Sequence, residues 1–190
     1  GNVIMLTADA FGVLPPVSRL SPEQALYYFL SGYTSKLAGT ELGVTEPEAT
    51  FSACFGAPFL TRHPVEYARL LGDRIRRHDP PVWLVNTGWT GGPYGIGERM
   101  SIAHTRSIIQ EIVTESLRDM PVSTEPIFGL AIPDRCGEVP ADVLHPERGW
   151  RDRGEYIQQA RALATLFDAN FREFADEVEP DVAVAGPRPI

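Results

Sequence analysis

Short continuous apolar runs alternate with longer segments in which apolar residues recur at helical spacing. The runs "VIMLT" at residues 3–7 and "VWLVN" at residues 82–86 are rich in residues that favour strands. Because the run at 3–7 does not alternate with polar residues, it is typical of a strand covered on both faces. The run "EPIFGLAIP" at residues 125–133 predicts another strand.

The first predicted helix has clear start and stop signals. Ser21 is a suitable N-cap, Pro22 follows at the first helical position, and Gln24 completes a capping-box pattern. The helix is expected to run to about Leu30, and Gly32 is a favourable residue for its end.

Three further segments have the period of an amphipathic helix. They run from His63-Pro64 through Arg77, from Ser101 with apolar positions as far as Leu117, and from Glu155 to Phe174. The segments at 8–20, 34–59, 133–150 and 179–190 are rich in proline or glycine and are predicted to be irregular or extended. Strands that alternate with helices indicate an α/β fold, and no repeat or linker divides the chain.

Composition narrows the class of protein. The 190 residues suffice for one domain or for part of a larger one, and 43% of them are hydrophobic, as in a globular protein. A formal charge of −8 argues against nucleic acid as the main partner. No apolar run approaches the roughly 18 residues of a membrane helix. Cys54 and Cys136 form no CxxC pair, which fits a reducing, cytoplasmic location.

A glycine-rich stretch at residues 92–99, "GPYGIGER", has the outline of a phosphate-binding P-loop. It follows a predicted strand and precedes a predicted helix, as a P-loop does. Glu98, however, occupies the position of the lysine that would reach the outer phosphates, and Arg99 that of the metal-binding hydroxyl. The stretch is therefore rejected as a P-loop. Without that lysine, the hypothesis that the chain is an unrelated nucleotide kinase domain is rejected too.

Two interpretations of this stretch stay open. Glycines let the backbone pass close to a flat group, the Arg99 guanidinium can stack on an aromatic base, and Thr105 offers a hydroxyl one turn into the next helix. That combination suits adenine or ribose. Alternatively, the glycines form a wide turn and Arg99 is solvated, which the bare pattern favours because glycine-rich motifs match often by chance.

Other candidate residues are weaker. Glu46 and Glu48 are two positions apart in a predicted loop, where solvation is the simpler account of paired carboxylates. Cys54 has apolar neighbours and no activating group, so it is expected to be inert. The four histidines lack ligand spacing, so no metal site is expected from this chain alone.

Long stretches of the chain resemble ATP-dependent phosphoenolpyruvate carboxykinases. They are residues 6–59, from "LTADAFGVLPPVSRL" to "FSACFGAPF", residues 83–102, "WLVNTGWTGGPYGIGERMSI", the pair Thr105-Arg106 and the tail "AVAGPRPI". The resemblance implies the C-terminal part of a carboxykinase-type mononucleotide-binding domain, with a mixed sheet flanked by helices. It also implies an enzyme of gluconeogenesis that converts oxaloacetate and ATP to phosphoenolpyruvate, ADP and CO2 with magnesium and manganese ions.

The resemblance also implies roles for individual residues. Arg99, Met100 and Thr105 correspond to the family's contacts to the adenosine end of the nucleotide. Residues 40–50 correspond to a loop that closes over the active site. Glu98 departs from the lysine of many members, and Leu42 departs from an arginine.

The family's P-loop, metal ligands and oxaloacetate-binding arginine lie upstream of the segment that resembles this chain. The chain is therefore expected to be a piece of a longer enzyme, without catalytic residues or metal ligands of its own, and inactive by itself. The alternative from another functional class is a non-catalytic nucleotide-binding or regulatory module with the same fold.

Overall fold

A computed structural model describes residues 1–36 and 47–188 of the chain. Its strands are β1 (Val3–Thr7), β2 (Val17–Leu20), β3 (Tyr33–Lys36), β4 (Glu48–Phe51), β5 (Val82–Asn86), β6 (Trp89–Thr90), β7 (Glu98–Arg99), β8 (Val122–Thr124) and β9 (Ala131–Pro133). Its α-helices are α1 (Pro22–Ser31), α2 (Pro64–His78), α3 (Ile102–Val113), α4 (Ala141–Leu144), α5 (Arg153–Phe171) and α6 (Pro180–Ala183). Within these described ranges, no helix is long and apolar enough to cross a lipid bilayer.

Five strands form a mixed sheet in the order β1-β5-β2-β9-β8. Strands β1 and β5 are parallel, and the other neighbouring pairs are antiparallel. Strands β3 and β4 form one separate antiparallel pair, and β6 and β7 form another. The predicted α/β class with a mixed sheet flanked by helices is therefore confirmed.

The helix start signals of the sequence are confirmed, although α3 ends at Val113, before the expected Leu117. The Ser21 hydroxyl accepts a hydrogen bond from the Gln24 amide, and the Gln24 side chain accepts one from the Ser21 amide, as in a capping box. Helix α1 ends at Gly32, whose φ of 55° is the left-handed conformation that glycine adopts without penalty. Helix α3 begins after Ser101, whose hydroxyl accepts from the His104 amide at 3.1 Å.

Several predictions about irregular segments are wrong. Residues 8–20 contain the central strand β2, and residues 34–59 contain most of the β3–β4 pair. Each of these strands has four residues, so no period is visible in the sequence, and cross-strand pairing decides their conformation. Residues 125–129 form a turn rather than part of a strand, and the tail contains the short helix α6.

Helices cover both faces of the sheet. Along β5, Val82 and Leu84 belong to a core that includes residues of α1, α2 and α5, whereas Trp83 and Val85 belong to a second core with Ile108 of α3. Because successive strand residues point to opposite faces, the two cores lie on opposite sides of the sheet. Strand β5 is thus buried on both faces, whereas the double burial predicted for residues 3–7 is wrong, because Leu6 is 58% exposed.

Candidate functional site

The glycine-rich stretch is a β-hairpin and does not form a loop that runs straight into helix α3. Strand β6 pairs with β7 so that Trp89 lies opposite Arg99 and Thr90 opposite Glu98. Between the two strands, Gly91, Gly92 and Gly95 have φ values of 69°, 146° and 86°. These conformations are strained for any residue with a Cβ atom, which explains why the turn needs glycine. The likeness to a P-loop is thus a likeness of sequence alone.

The hairpin is attached to the segment that follows β1. The amide of Trp89 donates to the Asp9 carbonyl at 2.7 Å, and the amide of Tyr94 donates to the Ala10 carbonyl at 3.2 Å. Gly12 packs so closely on the backbone of Gly92 that a Cβ atom at Gly12 would overlap the Gly92 carbonyl group. The position of the hairpin is therefore set by contacts between two backbones.

Asp9 organises this junction from a fully buried position. Its Oδ1 accepts from the Phe11 amide and the Tyr33 hydroxyl at 2.9 and 2.8 Å, and its Oδ2 accepts from the amides of Val13 and Leu14 at 2.8 and 2.9 Å. Burial raises the pKa of the Asp9 carboxyl above its usual value, while the donated hydrogen bonds act in the opposite direction. All four acceptor positions of the carboxylate are thereby used.

Asn86 links the same segment to the end of β5. Its Oδ1 accepts from the amides of Asp9 and Gly88, both at 2.9 Å, and its Nδ2 donates to the Leu14 carbonyl at 2.9 Å. Neither Asp9 nor Asn86 was predicted from the sequence. The signal that could have indicated them is a polar residue at the carboxyl end of each of two neighbouring parallel strands, Asn86 as the last residue of β5 and Asp9 two residues after β1, because such ends meet at one edge of a sheet.

The three residues that the resemblance selected lie around one shallow depression of about 520 Å³. It is lined by Thr87, Arg99, Met100, Ser101, Ile102 and Thr105. Thr87 and Ile102 were not predicted as lining residues, and Ser101 was predicted only as the start of a helix. Arg99 comes from strand β7 of the hairpin, and Thr105 comes from the start of α3. The two lie close together because only two residues separate β7 from α3.

Arg99 is exposed, but its side chain is held at two points. Its Nε donates to the Thr87 carbonyl at 3.3 Å, and its Cζ lies 5.7 Å from the centroid of the Trp89 ring. The interpretation that Arg99 is simply solvated is therefore incomplete. Met100 is 7% exposed and its amide donates to the Gly88 carbonyl at 2.8 Å, which closes the base of the hairpin.

The depression combines a flat cation, an apolar wall and a hydroxyl. Ile102 is 71% exposed at its edge, and the Thr105 hydroxyl donates to the Ser101 carbonyl at 3.3 Å while its oxygen can still accept. Such a surface can stack on a planar ring and bond to its polar edge. Glu98 is exposed and, as the strand neighbour of Arg99, points to the other face of the hairpin, outside this lining.

A more enclosed cleft of about 370 Å³ lies between α1, α2 and residues 177–182. Its lining is mainly aliphatic, and its two arginines already have partners in the protein. Arg69 donates to the Glu177 carbonyl at 3.3 Å, and Arg76 donates to Asp73 at 2.8 Å. None of Arg99, Met100 and Thr105 lines this cleft.

The weaker candidates do not join this site. Cys54 is partly buried, its Sγ lies 3.6 Å from the Pro64 carbonyl, and burial raises the pKa of its thiol to about 11, so it is expected to stay protonated at neutral pH. Glu48 is exposed in β4. Glu46, Leu42 and most of the expected closing loop at 40–50 lie outside the described residues, which include 47–50 of that loop.

Comparison with known proteins decides the family. A family model described as phosphoenolpyruvate carboxykinase matches residues 1–142. The chain belongs to the phosphoenolpyruvate carboxykinase family. A protein of Geobacillus kaustophilus named "Phosphoenolpyruvate carboxykinase (ATP)" is 59% identical over 185 residues, which is 97% of this chain and 35% of that protein.

Two carboxykinases from distant organisms show the same partial overlap. A Thermus thermophilus protein named "Phosphoenolpyruvate carboxykinase (ATP)" is 55% identical over 186 residues, 98% of this chain and 35% of its own length. A Dictyostelium discoideum protein of the same name is 48% identical over 186 residues, 98% of this chain and 33% of its own length. The chain thus spans about a third of the curated relatives that it matches.

Proposed function

We propose that residues 1–190 form the C-terminal portion of the nucleotide-binding domain of an ATP-dependent phosphoenolpyruvate carboxykinase. In this proposal the depression beside Arg99 holds the adenosine end of ATP. The observation that carries the proposal is the convergence of Arg99, Met100 and Thr105 on one depression with an exposed apolar wall. The names of the relatives favour this enzyme over a non-catalytic nucleotide-binding module.

The reaction proposed for the whole enzyme is the conversion of oxaloacetate and ATP to phosphoenolpyruvate, ADP and CO2. ATP supplies the γ-phosphoryl group that is transferred. The contribution of this chain is to bind the base through Arg99, to cover one edge of it with Ile102 and to offer the Thr105 hydroxyl to a polar atom of the adenosine. Holding the far end of the nucleotide lowers the entropic cost of aligning its phosphates with the acceptor.

Magnesium and manganese are part of this proposal for the whole enzyme. Among residues 1–36 and 47–188, no group of three or more histidine, cysteine, aspartate or glutamate side chains is arranged to hold a metal ion. The described residues therefore do not fit a metal site, and we derive no step through a metal from them. A cytoplasmic location and a role in gluconeogenesis belong to the same proposal.

Residues 1–190 alone are expected to be inactive, because we propose that the phosphate-binding and metal-binding groups lie elsewhere in the enzyme. The purified chain is incubated with oxaloacetate, ATP and manganese, and phosphoenolpyruvate is measured. The complete gene product that carries this sequence is the positive control. Formation of phosphoenolpyruvate by the chain alone would refute this assignment of roles.

Replacing Arg99 with alanine in the complete gene product is expected to raise the KM for ATP on the order of tenfold, because a cationic stack on the base is lost. The KM for oxaloacetate is expected to stay close to that of the parent enzyme. Steady-state kinetics with each substrate varied in turn measure both constants. Arg99→Lys keeps the charge but loses the planar group, so it is expected to recover little.

The matched control is Arg77→Ala, which removes an equally exposed arginine from the end of α2. It is expected to leave both KM values unchanged. An equal rise in the KM values for ATP and oxaloacetate after Arg99→Ala would count against the adenosine role.

A further inference from the structure

Trp89 and Arg99 form the cross-strand pair of the hairpin that lies farther from the turn. They are direct partners in the β6–β7 register, so their side chains lie on the same face. The guanidinium carbon of Arg99 lies 5.7 Å from the centroid of the Trp89 ring. Trp89 is 9% exposed, whereas Arg99 is exposed, so the indole forms a covered support beneath a solvent-facing cation.

Trp89 is held through its backbone and through its ring. Its backbone amide donates to the carbonyl of buried Asp9 at 2.7 Å. The Tyr94 ring meets the indole edge-on, with centroids 5.7 Å apart and planes at 79°, which is a favourable aromatic geometry. The position of the ring is therefore set by the β1 segment and by the hairpin turn together, before any ligand arrives.

A long arginine side chain loses rotamer freedom when a ligand orders it, and that loss weakens binding. Here the indole and the bond from Arg99 Nε to the Thr87 carbonyl already restrict the guanidinium. A guanidinium has two flat faces, so a group stacked on one leaves the other open. The Arg99 Cζ lies 5.7 Å from the Trp89 ring centroid, and the same side chain lines the depression together with Thr105 and Ile102.

We propose that Trp89 is a positioning residue that holds the Arg99 guanidinium ready to stack on the base of the bound nucleotide. The proposal rests on the proposed function of Arg99. In the bound state the order is indole, guanidinium and base. Trp89 then contributes to nucleotide affinity without touching the nucleotide, and its contribution depends wholly on Arg99.

The test is a double-mutant cycle in the complete gene product with the variants Trp89→Leu, Arg99→Ala and the two combined. Trp89→Leu is expected to raise the KM for ATP by about two- to tenfold, which is no more than the loss after Arg99→Ala, and to leave the KM for oxaloacetate unchanged. The double variant is expected to have the ATP KM of Arg99→Ala alone. Trp89→Phe keeps an aromatic face and is expected to recover most of the affinity.

The control variant is Trp83→Leu, which removes a buried indole from the core on the α3 side of the sheet. It distinguishes a general loss of stability from a loss of Arg99 positioning. All variants are assayed below their unfolding transitions. This control is expected to lower stability without changing the ATP KM selectively.

Three results are decisive. An ATP-selective loss after Trp89→Leu that vanishes in the Arg99→Ala background supports the positioning role. If Arg99→Ala weakens ATP binding but Trp89→Leu does not, or if the two losses multiply, the positioning role is refuted while the proposed function stands. If Arg99→Ala leaves the ATP KM unchanged, the proposed function fails and the positioning role fails with it.

Discussion

Replacing Asp9 with asparagine is expected to lower the stability of the complete gene product by about 2 to 4 kcal/mol, although the two side chains have nearly the same shape. The carboxylate accepts four hydrogen bonds, two on each oxygen, and is fully buried. An amide has one oxygen and one NH2 group. Whichever way it is turned, its NH2 group faces at least one amide donor, and that donor loses its partner in a buried environment.

The measurement is the midpoint of thermal or urea unfolding, with the ATP KM as a second readout. The ATP KM is expected to rise as well, because the Asp9 carbonyl accepts the hydrogen bond from the Trp89 amide that fixes the hairpin.

Tyr33→Phe removes a single donor from the same carboxylate and is expected to lower stability by about 1 kcal/mol. Asp73→Asn, at an exposed ion pair with Arg76, is expected to have little effect. A cost for Asp9→Asn as small as that of Asp73→Asn would show that the network contributes little.

Replacing Gly12 with alanine is expected to displace the hairpin and to raise the ATP KM by more than tenfold. Gly12 has a φ of 71°, and its added Cβ would overlap the carbonyl group of Gly92. The left-handed conformation alone costs an alanine about 1 to 2 kcal/mol. The overlap adds to this cost, because both partners are backbone and neither can rotate away. Kinetics and the unfolding midpoint of the complete gene product measure the two effects.

Gly95 offers a matched control at the tip of the same hairpin. Its φ is 86°, but a Cβ atom there would meet nothing within 4 Å. Gly95→Ala therefore carries the conformational strain without the overlap and is expected to lower stability modestly, with a near-normal ATP KM. Equal effects of Gly12→Ala and Gly95→Ala on the ATP KM would mean that close packing at Gly12 does not position the site.

Local signals predicted the long helices and the two longest strands. The Ser21 capping box and Gly32 set the limits of α1 through hydrogen bonds among neighbours in sequence. The apolar runs at 3–7 and 82–86 predicted strands β1 and β5, although the double burial expected of 3–7 is wrong at Leu6, which is 58% exposed. In each case the physical cause lies within one segment, so the sequence contains all of it.

The sequence did not reveal the short strands or the true form of the glycine stretch. Strand β2 has four residues and lies between β5 and β9, so distant partners make it a strand. The stretch at 92–99 has P-loop glycines, yet pairing of Trp89 with Arg99 and Thr90 with Glu98 makes it a hairpin. Propensity at single residues is weaker than such long-range pairing, and a pattern of glycines does not say which backbone will pack on them.

By itself, the sequence determined the α/β class, the long helices with their caps, and a resemblance that selected Arg99, Met100 and Thr105. Only the tertiary structure joined the hairpin to Asp9, and only the strand pairing within the hairpin set the buried indole of Trp89 beside Arg99. The physical reason is distance along the chain. Asp9 and Trp89 are 80 positions apart, and the hydrogen bond between them forms only when β1 and β5 lie side by side.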